Sequence, residues 1–597
     1  MASKKPIQTV QNALDQGLSR RQYFGVMAAL GASTTAGCLG EDGDDDDDVI
    51  DDGDDDDTDE DDRYGGILEN RIRDSLDSLD SHVAASGDVW AALSDHVTEK
   101  PMHMLHDGSV EPRLISNVEF EDDGQRIIAD VQEGVMFHPP VSREMTGDDI
   151  LINWFRVLDP EEFGGDAGDY DEFPGQTGGR QDNLNFFDNV YLEDDYTIVM
   201  ETETPNAFVE WNMADRGQDI MAPENLREEE YDPETHPIGT GPFKFVEWVP
   251  EEHVHLEKFD DYWRSDADGN QLPYVDELWH LQIPDDTVYV NELLNEEIDI
   301  ISEAPYPLLD ELEAADNVTV TAPEAVFERM HFNCNCTDYQ EENRAEGFPT
   351  MDWNVRRALM EARDQQDYLA LAVDGYGVAE QTMYPSAHQF GIEYNAVEPG
   401  AHPEAAQEYL EENWDTPVEI IVHSDAENPQ AEASAEIAIE HLEVAGFDPE
   451  LDLSESALYS ERLSTNEWDV NVQYGSIGPT PETMRGDRVF QRSTPEDQRS
   501  YHPGNEETGM GDVYDEYDVD AEAVISLMEE GAQIFDEDEQ MEVYEEAWQR
   551  LADDGNYIMC YHREYVRAHG NWVNQYNAYP DTFHSNFFEN WLDETHR

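Results

Sequence analysis

Cysteine, histidine, methionine and a few loop glycines are the residues here whose types could do specific chemistry, and their spacing argues against catalysis. Cys334 and Cys336 stand one residue apart and Cys560 lies far along the chain. A disulfide from Cys560 to either of that pair and a set of buried thiols both fit, whereas Cys-x-Cys without a histidine pair at finger spacing is weak for zinc. Met102, His103, Met104 and His106 are soft donors that would suit copper, yet the run reads equally as an irregular surface loop. His253 and His255 alternate on a predicted strand. The chain has no serine nucleophile elbow, HExxH or Walker loop. With 141 acidic residues no single carboxylate stands out. In the calcium-loop register starting at Asp44, Val49 occupies the place of the turn glycine. No metal and no cofactor are implied, and binding is the chemistry left. In α/β lobes ligands gather beyond the carboxyl ends of strands. That points to Tyr474, Gly475, Ser476, Ile477 and Gly478, after a predicted strand over 468–473: Tyr474 offers a ring and a hydroxyl, and the glycines permit close backbone approach.

The elements around that run must position it. From Val418 the pattern alternates: a strand to Val422, a helix carrying Ala435, Ala438, Ile439 and Leu442, a strand near Leu451, a helix near Leu458, then the strand ending at Gln473. This reads as a parallel α/β lobe. Asp352 is placed to cap a helix with Val355, Ala358, Leu359 and Ala362 on one face, and Thr146 with Asp149 forms a capping box before Ile150, Trp154 and Val157. The 597 residues exceed what one core organises, so at least two lobes are expected. The net charge is −109, and the run Glu41 to Asp62 supplies 17 of the 141 acids, leaving about −92 on the rest. Aromatics at 10 % exclude a disordered acidic chain, and nucleic acid is excluded as a partner. Such charge resembles that of an extreme halophile's protein, since at molar salt the Debye length falls to about 3 Å.

The chain's most distinctive text is IGTGPFKFVEWVPEEHVHLEKFDDYW, Ile238 to Trp263, a predicted β-hairpin about Pro250, Glu251 and Glu252. GTGP-F-x-F-V-x-W followed by L-x-K-x-x-x-Y-W resembles the signature of the family 5 solute-binding proteins of ABC transporters, the peptide, nickel and oligosaccharide binders. Glu133 to His138 (EGVMFH), Asp194 to Met200 and the MDWNVRRALMEA helix from Met351 are also similar to family text. The chain departs from it at Ser81 and at Pro139-Pro140. It also has Ser476 and Ile477 where peptide binders carry an aspartate for the ligand's ammonium group.

The resemblance implies a two-lobed α/β fold of the periplasmic-binding-protein type, class II and cluster C. A two-segment hinge at 326–336 and 557–566 and an extra subdomain in lobe one are expected. The domains would be 64–325 (lobe one, with the subdomain at about 85–235), 326–560 (lobe two) and 561–597 (return to lobe one). Asp77, Ser78 and Tyr384 resemble cleft-lining positions. The implied function is capture of a small solute such as an oligopeptide by a monomer that delivers it to an ABC permease. A sensory binding protein or a secreted hydrolase is the alternative. At the N-terminus, Arg20 and Arg21 ahead of an apolar run to Ala36 resemble a twin-arginine export signal, and Thr34 to Cys38 is similar to a lipobox. Residues 1–38 would then be the signal, Cys38 the lipid-bearing residue at the outer face of the cytoplasmic membrane, and 39–63 an extended acidic tether.

Overall fold

The computed structural model describes residues 63–596 apart from 74–75, 85–86, 159–183, 185–186, 228–230, 324–327, 336–348, 466–467, 482–520, 580–584 and 594. Arg20, Arg21, Cys38, Cys336, the whole acidic run and the glycine-rich stretch after Leu158 lie outside the described residues.

Two large sheets carry the architecture. The first has seven strands in the order Val318–Thr321, Arg567–Gly570, Ile300–Ile301, Ile67–Ile72, Glu277–Gln282, His253–Lys258 and Phe243–Val249. Ile67–Ile72 runs parallel to both of its neighbours. The expected hairpin is present: Phe243–Val249 and His253–Lys258 are antiparallel, and Glu251 takes φ 64° in the turn between them. Gly239 and Gly241 are fixed by packing. A Cβ on Gly239 would stand 2.1 Å from the Val97 carbonyl oxygen, and one on Gly241 2.3 Å from that of His96. Only glycine lets the two backbones lie this close.

The second sheet has six strands in the order Gly377–Val378, Tyr557–Arg563, Glu328–Cys334, Val470–Ser476, Val418–Asp425 and Phe447–Ser454. Val418–Asp425 is parallel to both neighbours, as the alternating pattern predicts. The sheet is nevertheless mixed, because Glu328–Cys334 joins Val470–Ser476 and Tyr557–Arg563 antiparallel. Its helices start where polar side chains take up free amides: Asp352 accepts from Asn354 N at 2.8 Å, and Asn428 from Ala431 N at 2.9 Å. The chain leaves the first sheet after Thr321 and enters the second at Glu328; it returns between Arg563 and Arg567.

A third body, between Met102 and Ile238, is built on a four-stranded antiparallel sheet ordered Ile115–Glu121, Arg126–Val131, Thr197–Glu201, Asn189–Asp194. Its helix Gly147–Val157 starts at the capping box, the Asp149 carboxylate accepting from Thr146 N at 2.9 Å. A buried polar knot at its root holds residues 95–103 against the segment after His253–Lys258 and against Tyr579. The Glu99 carboxylate accepts from Tyr262 (2.9 Å), Trp263 (3.1 Å) and Thr240 (3.0 Å). Lys100 meets Asp95 at 3.0 Å, and His103 stands between Asp95 (3.1 Å) and Tyr579 (3.2 Å). Burial alone would raise the Asp95 carboxyl, but Lys100 and His103 hold it well below the usual range. Met102 and Met104 are core residues of a short strand. So the soft-donor run is part of a packed structure: His103 is occupied by Asp95 and Tyr579, and the surface-loop reading is replaced.

Candidate ligand-binding site

The two sheets meet through a row of alternating charges. Arg73 directly follows the strand Ile67–Ile72, and Glu303 lies two positions after Ile300–Ile301. Both therefore stand at carboxyl ends of first-sheet strands. Arg73 Nη1 is 2.9 Å from Glu303 Oε2. Glu303 Oε1 is 3.5 Å from Arg563 Nη1, and Arg563 Nε donates to Glu328, the first residue of its second-sheet strand. Side-chain exposure falls along the row from 44 % at Arg73 and 19 % at Glu303 to 4 % at Arg563 and 0 % at Glu328, so one end is anchored and the other reachable. Burial pushes the Glu328 carboxyl up against the opposing pull of Arg563. Burial also opposes the charge on Glu303, yet Arg73 and Arg563 keep its carboxyl below the usual range.

Tyr474 belongs to this junction. Its ring lies under the Arg563 guanidinium, 5.0 Å from centroid to Cζ, with its hydroxyl in the field of the Glu328 carboxylate. Burial, and then the negative charge of Glu328, push that hydroxyl above its usual pKa. The sequence places Tyr474, Gly475 and Ser476 in a loop after the strand; the structure corrects this. They are the last residues of the strand Val470–Ser476, paired with Met330, Arg329 and Glu328, a partnership no local pattern reveals. All three are half-buried, and Arg329 Nη1 donates to the Ser476 carbonyl at 2.7 Å. Ile477 is wholly buried, and Gly478 turns the chain at φ 62°.

Tyr384 also departs from expectation. It is 0 % exposed and its hydroxyl donates to the Ile477 carbonyl at 2.8 Å, so Tyr384 and Ile477 brace the strand from behind and offer a solute no surface. Asp77 is exposed, while the Ser78 hydroxyl accepts from Asp80 N at 3.1 Å. Asp80 in turn holds Arg156 at 3.0 Å, which ties this loop to the helix Gly147–Val157. Cys334 and Cys560 are buried thiols set apart by register: Cys334 N bonds to Asn556 O, four residues from Cys560, so no disulfide joins these two. The residues sequence reasoning missed are Arg73, Glu303, Glu328 and Arg563. Two glutamates are invisible among 141 acids, but 32 basic residues are few enough that an arginine just past an apolar run was a usable signal.

The chain is similar to proteins that share this architecture. Residues 109–491 match the family described as "Bacterial extracellular solute-binding proteins, family 5 Middle". The oligopeptide-binding protein AppA of Bacillus subtilis is 23 % identical over 555 residues, covering 88 % of this chain and 91 % of that protein. Among solved structures, the periplasmic binding protein DppA of Helicobacter pylori in complex with the peptide STSA superposes with a TM-score of 0.70 at 18 % identity, over 89 % of this chain and 99 % of that one. AgaA of Agrobacterium tumefaciens, in complex with agropinic acid, gives the same TM-score, identity and coverage. With its two-lobed α/β architecture and the match over most of its length, the chain belongs to the family 5 extracellular solute-binding proteins, which bind solutes for transport and catalyse nothing.

Proposed function

We propose that this protein is the lipid-anchored receptor of an ABC importer: it closes its two lobes over a small solute, an oligopeptide in the first instance, and hands it to a membrane permease. The observation that supports this most is the junction itself. Half-exposed Tyr474 and Ser476 on one sheet stand with the reachable ends of Arg73 and Glu303 on the other, joined through Arg563. Groups from both lobes at one place are what closure over a solute requires. The lobes follow the division at 325 and 560, with the crossings as hinge. Peptide is the first solute to test because AppA and DppA carry peptide names or ligands. Agropinic acid in AgaA shows that the architecture also accepts other small solutes. Arg20 and Arg21 fit twin-arginine export of a folded monomer, Cys38 its lipid anchor, and the acidic body a cell living in concentrated salt.

The test is native mass spectrometry of protein purified from salt-rich medium, followed by titration calorimetry with di- to nonapeptides. Micromolar or tighter binding of peptides is expected. A copurifying non-peptide solute, with no peptide affinity, would overturn the peptide reading while leaving the transport reading in place.

A further inference from the structure

An apolar seam joins the four-stranded body to the second lobe, and it runs on into the ligand strand. Phe208 follows the strand Thr197–Glu201 and is 1 % exposed. Its ring stands 5.5 Å from that of Phe390 and 6.3 Å from that of Tyr544, edge-on to the first. Beside it the Ala207 amide donates to the Ala532 carbonyl at 2.7 Å. Phe390 is held by Trp548, whose indole N–H donates to the Phe390 carbonyl at 2.9 Å, and Trp548 packs on Tyr384 at 5.3 Å. Tyr384 then ends the series on the Ile477 carbonyl. Close-packed rings have discrete arrangements, so a shift at one end is passed on as a repacking and is not absorbed.

We propose that Phe208 and Tyr384 are positioning residues of the ligand strand: docking of the four-stranded body on the second lobe, relayed through Phe390 and Trp548, fixes the Ile477 end of Tyr474–Gly478. Solute affinity then depends on a contact remote from the solute. This last step rests on the reading that Tyr474 to Ser476 face the solute; the coupling itself does not. Phe208→Leu would leave space beside Phe390 and Tyr544, freeing the packing that presses Tyr384 to its carbonyl. Tyr384→Phe keeps the ring and removes the hydroxyl that bonds to the Ile477 carbonyl.

The experiment is amide hydrogen exchange over residues 474–480 in ligand-free protein at molar KCl. Phe208→Leu and Tyr384→Phe should each speed exchange there about tenfold, well above any change in global opening. The double variant should be no faster than Tyr384→Phe alone, because the link is already cut. Leu312→Ala, a cavity in the core beneath the first sheet, should leave these amides unchanged. Unchanged exchange in Phe208→Leu, multiplied effects in the double variant, or equal acceleration in Leu312→Ala would each overturn the coupling. Should Phe208→Leu fail to fold, Phe208→Met serves the same comparison. A failure of the solute reading would show separately, as unchanged solute affinity in Tyr474→Ala.

Discussion

Arg563 places its guanidinium 5.0 Å over the ring of Tyr474 while its Nε binds Glu328, so one arginine holds both the aromatic face and the acid at the junction. In the proposed site the ring is thereby fixed before a solute arrives, which would limit the ordering cost of binding. Tyr474→Ala is expected to weaken solute affinity by about 2 kcal/mol, or roughly 30-fold, with little change in ligand-free melting temperature. Calorimetry in high salt checks this. A melting temperature lowered by several degrees with affinity intact would mark Tyr474 as a core residue instead.

Removing the arginine should act on folding more than removing the tyrosine. Arg563→Ala leaves the buried Glu328 without its cation, and breaking a buried pair from one side costs about 3 to 5 kcal/mol. Urea titration at constant salt measures it. The double variant Arg563→Met, Glu328→Leu should recover much of the loss, since two apolar side chains strand no charge.

Acid should weaken the fold through its buried histidines. Burial lowers His96 and His138 to about 4, and His103, His388 and His562 to about 3, each from the ordinary 6.5. The folded protein keeps these rings neutral while the unfolded chain protonates them below 6.5. Stability is thus complete above that value and falls as pH drops from 6.5 towards 4 and 3. Each such ring contributes a slope of up to about 1.4 kcal/mol per pH unit. Unfolding at pH 5 should take up several protons, and urea midpoints equal at pH 7.5 and pH 5 would contradict it.

Dilution of salt should do the same by another route. With a net charge of −109, self-repulsion is screened only where the Debye length is short. The melting temperature is expected to rise steadily from 0.1 M KCl to molar KCl, on the order of ten degrees or more for a charge this large. A melting temperature independent of salt would sink the halophilic reading.

The proposed anchor is tested in cells. Cys38→Ser should move the protein from the membrane fraction to the medium, because stable attachment takes two acyl chains. Retention at the membrane would show that something other than Cys38 holds it.

Local grammar made part of this molecule legible. The capping residues Thr146 and Asp352, the hairpin about Glu251 and the alternation from Val418 to Ser454 are decided within a few residues of themselves, and each stands where its pattern puts it. The strand Val470–Ser476 was harder. Gly475 interrupts its β pattern, and what extends it to Ser476 is pairing with Glu328, well over a hundred residues earlier. Tyr384 was found by its likeness to family text, but its burial behind Ile477 depends on Phe390 and Trp548 packing against it. The charge row joins positions 73, 303, 328 and 563, and no sequence window contains two of them at a telling spacing.

The strand Arg567–Gly570 sits inside the first sheet, bonded on one side to Val318–Thr321 and on the other to Ile300–Ile301. During synthesis that slot stays vacant until nearly the whole chain has been made. At ribosomal speeds of about 5 to 20 residues per second, some 250 further residues after Thr321 mean a delay of roughly 12 to 50 seconds with two sheet edges exposed. A nascent chain of this kind is vulnerable to edge-to-edge association, and a ribosome stalled before codon 567 would release a fragment that cannot complete its own first lobe.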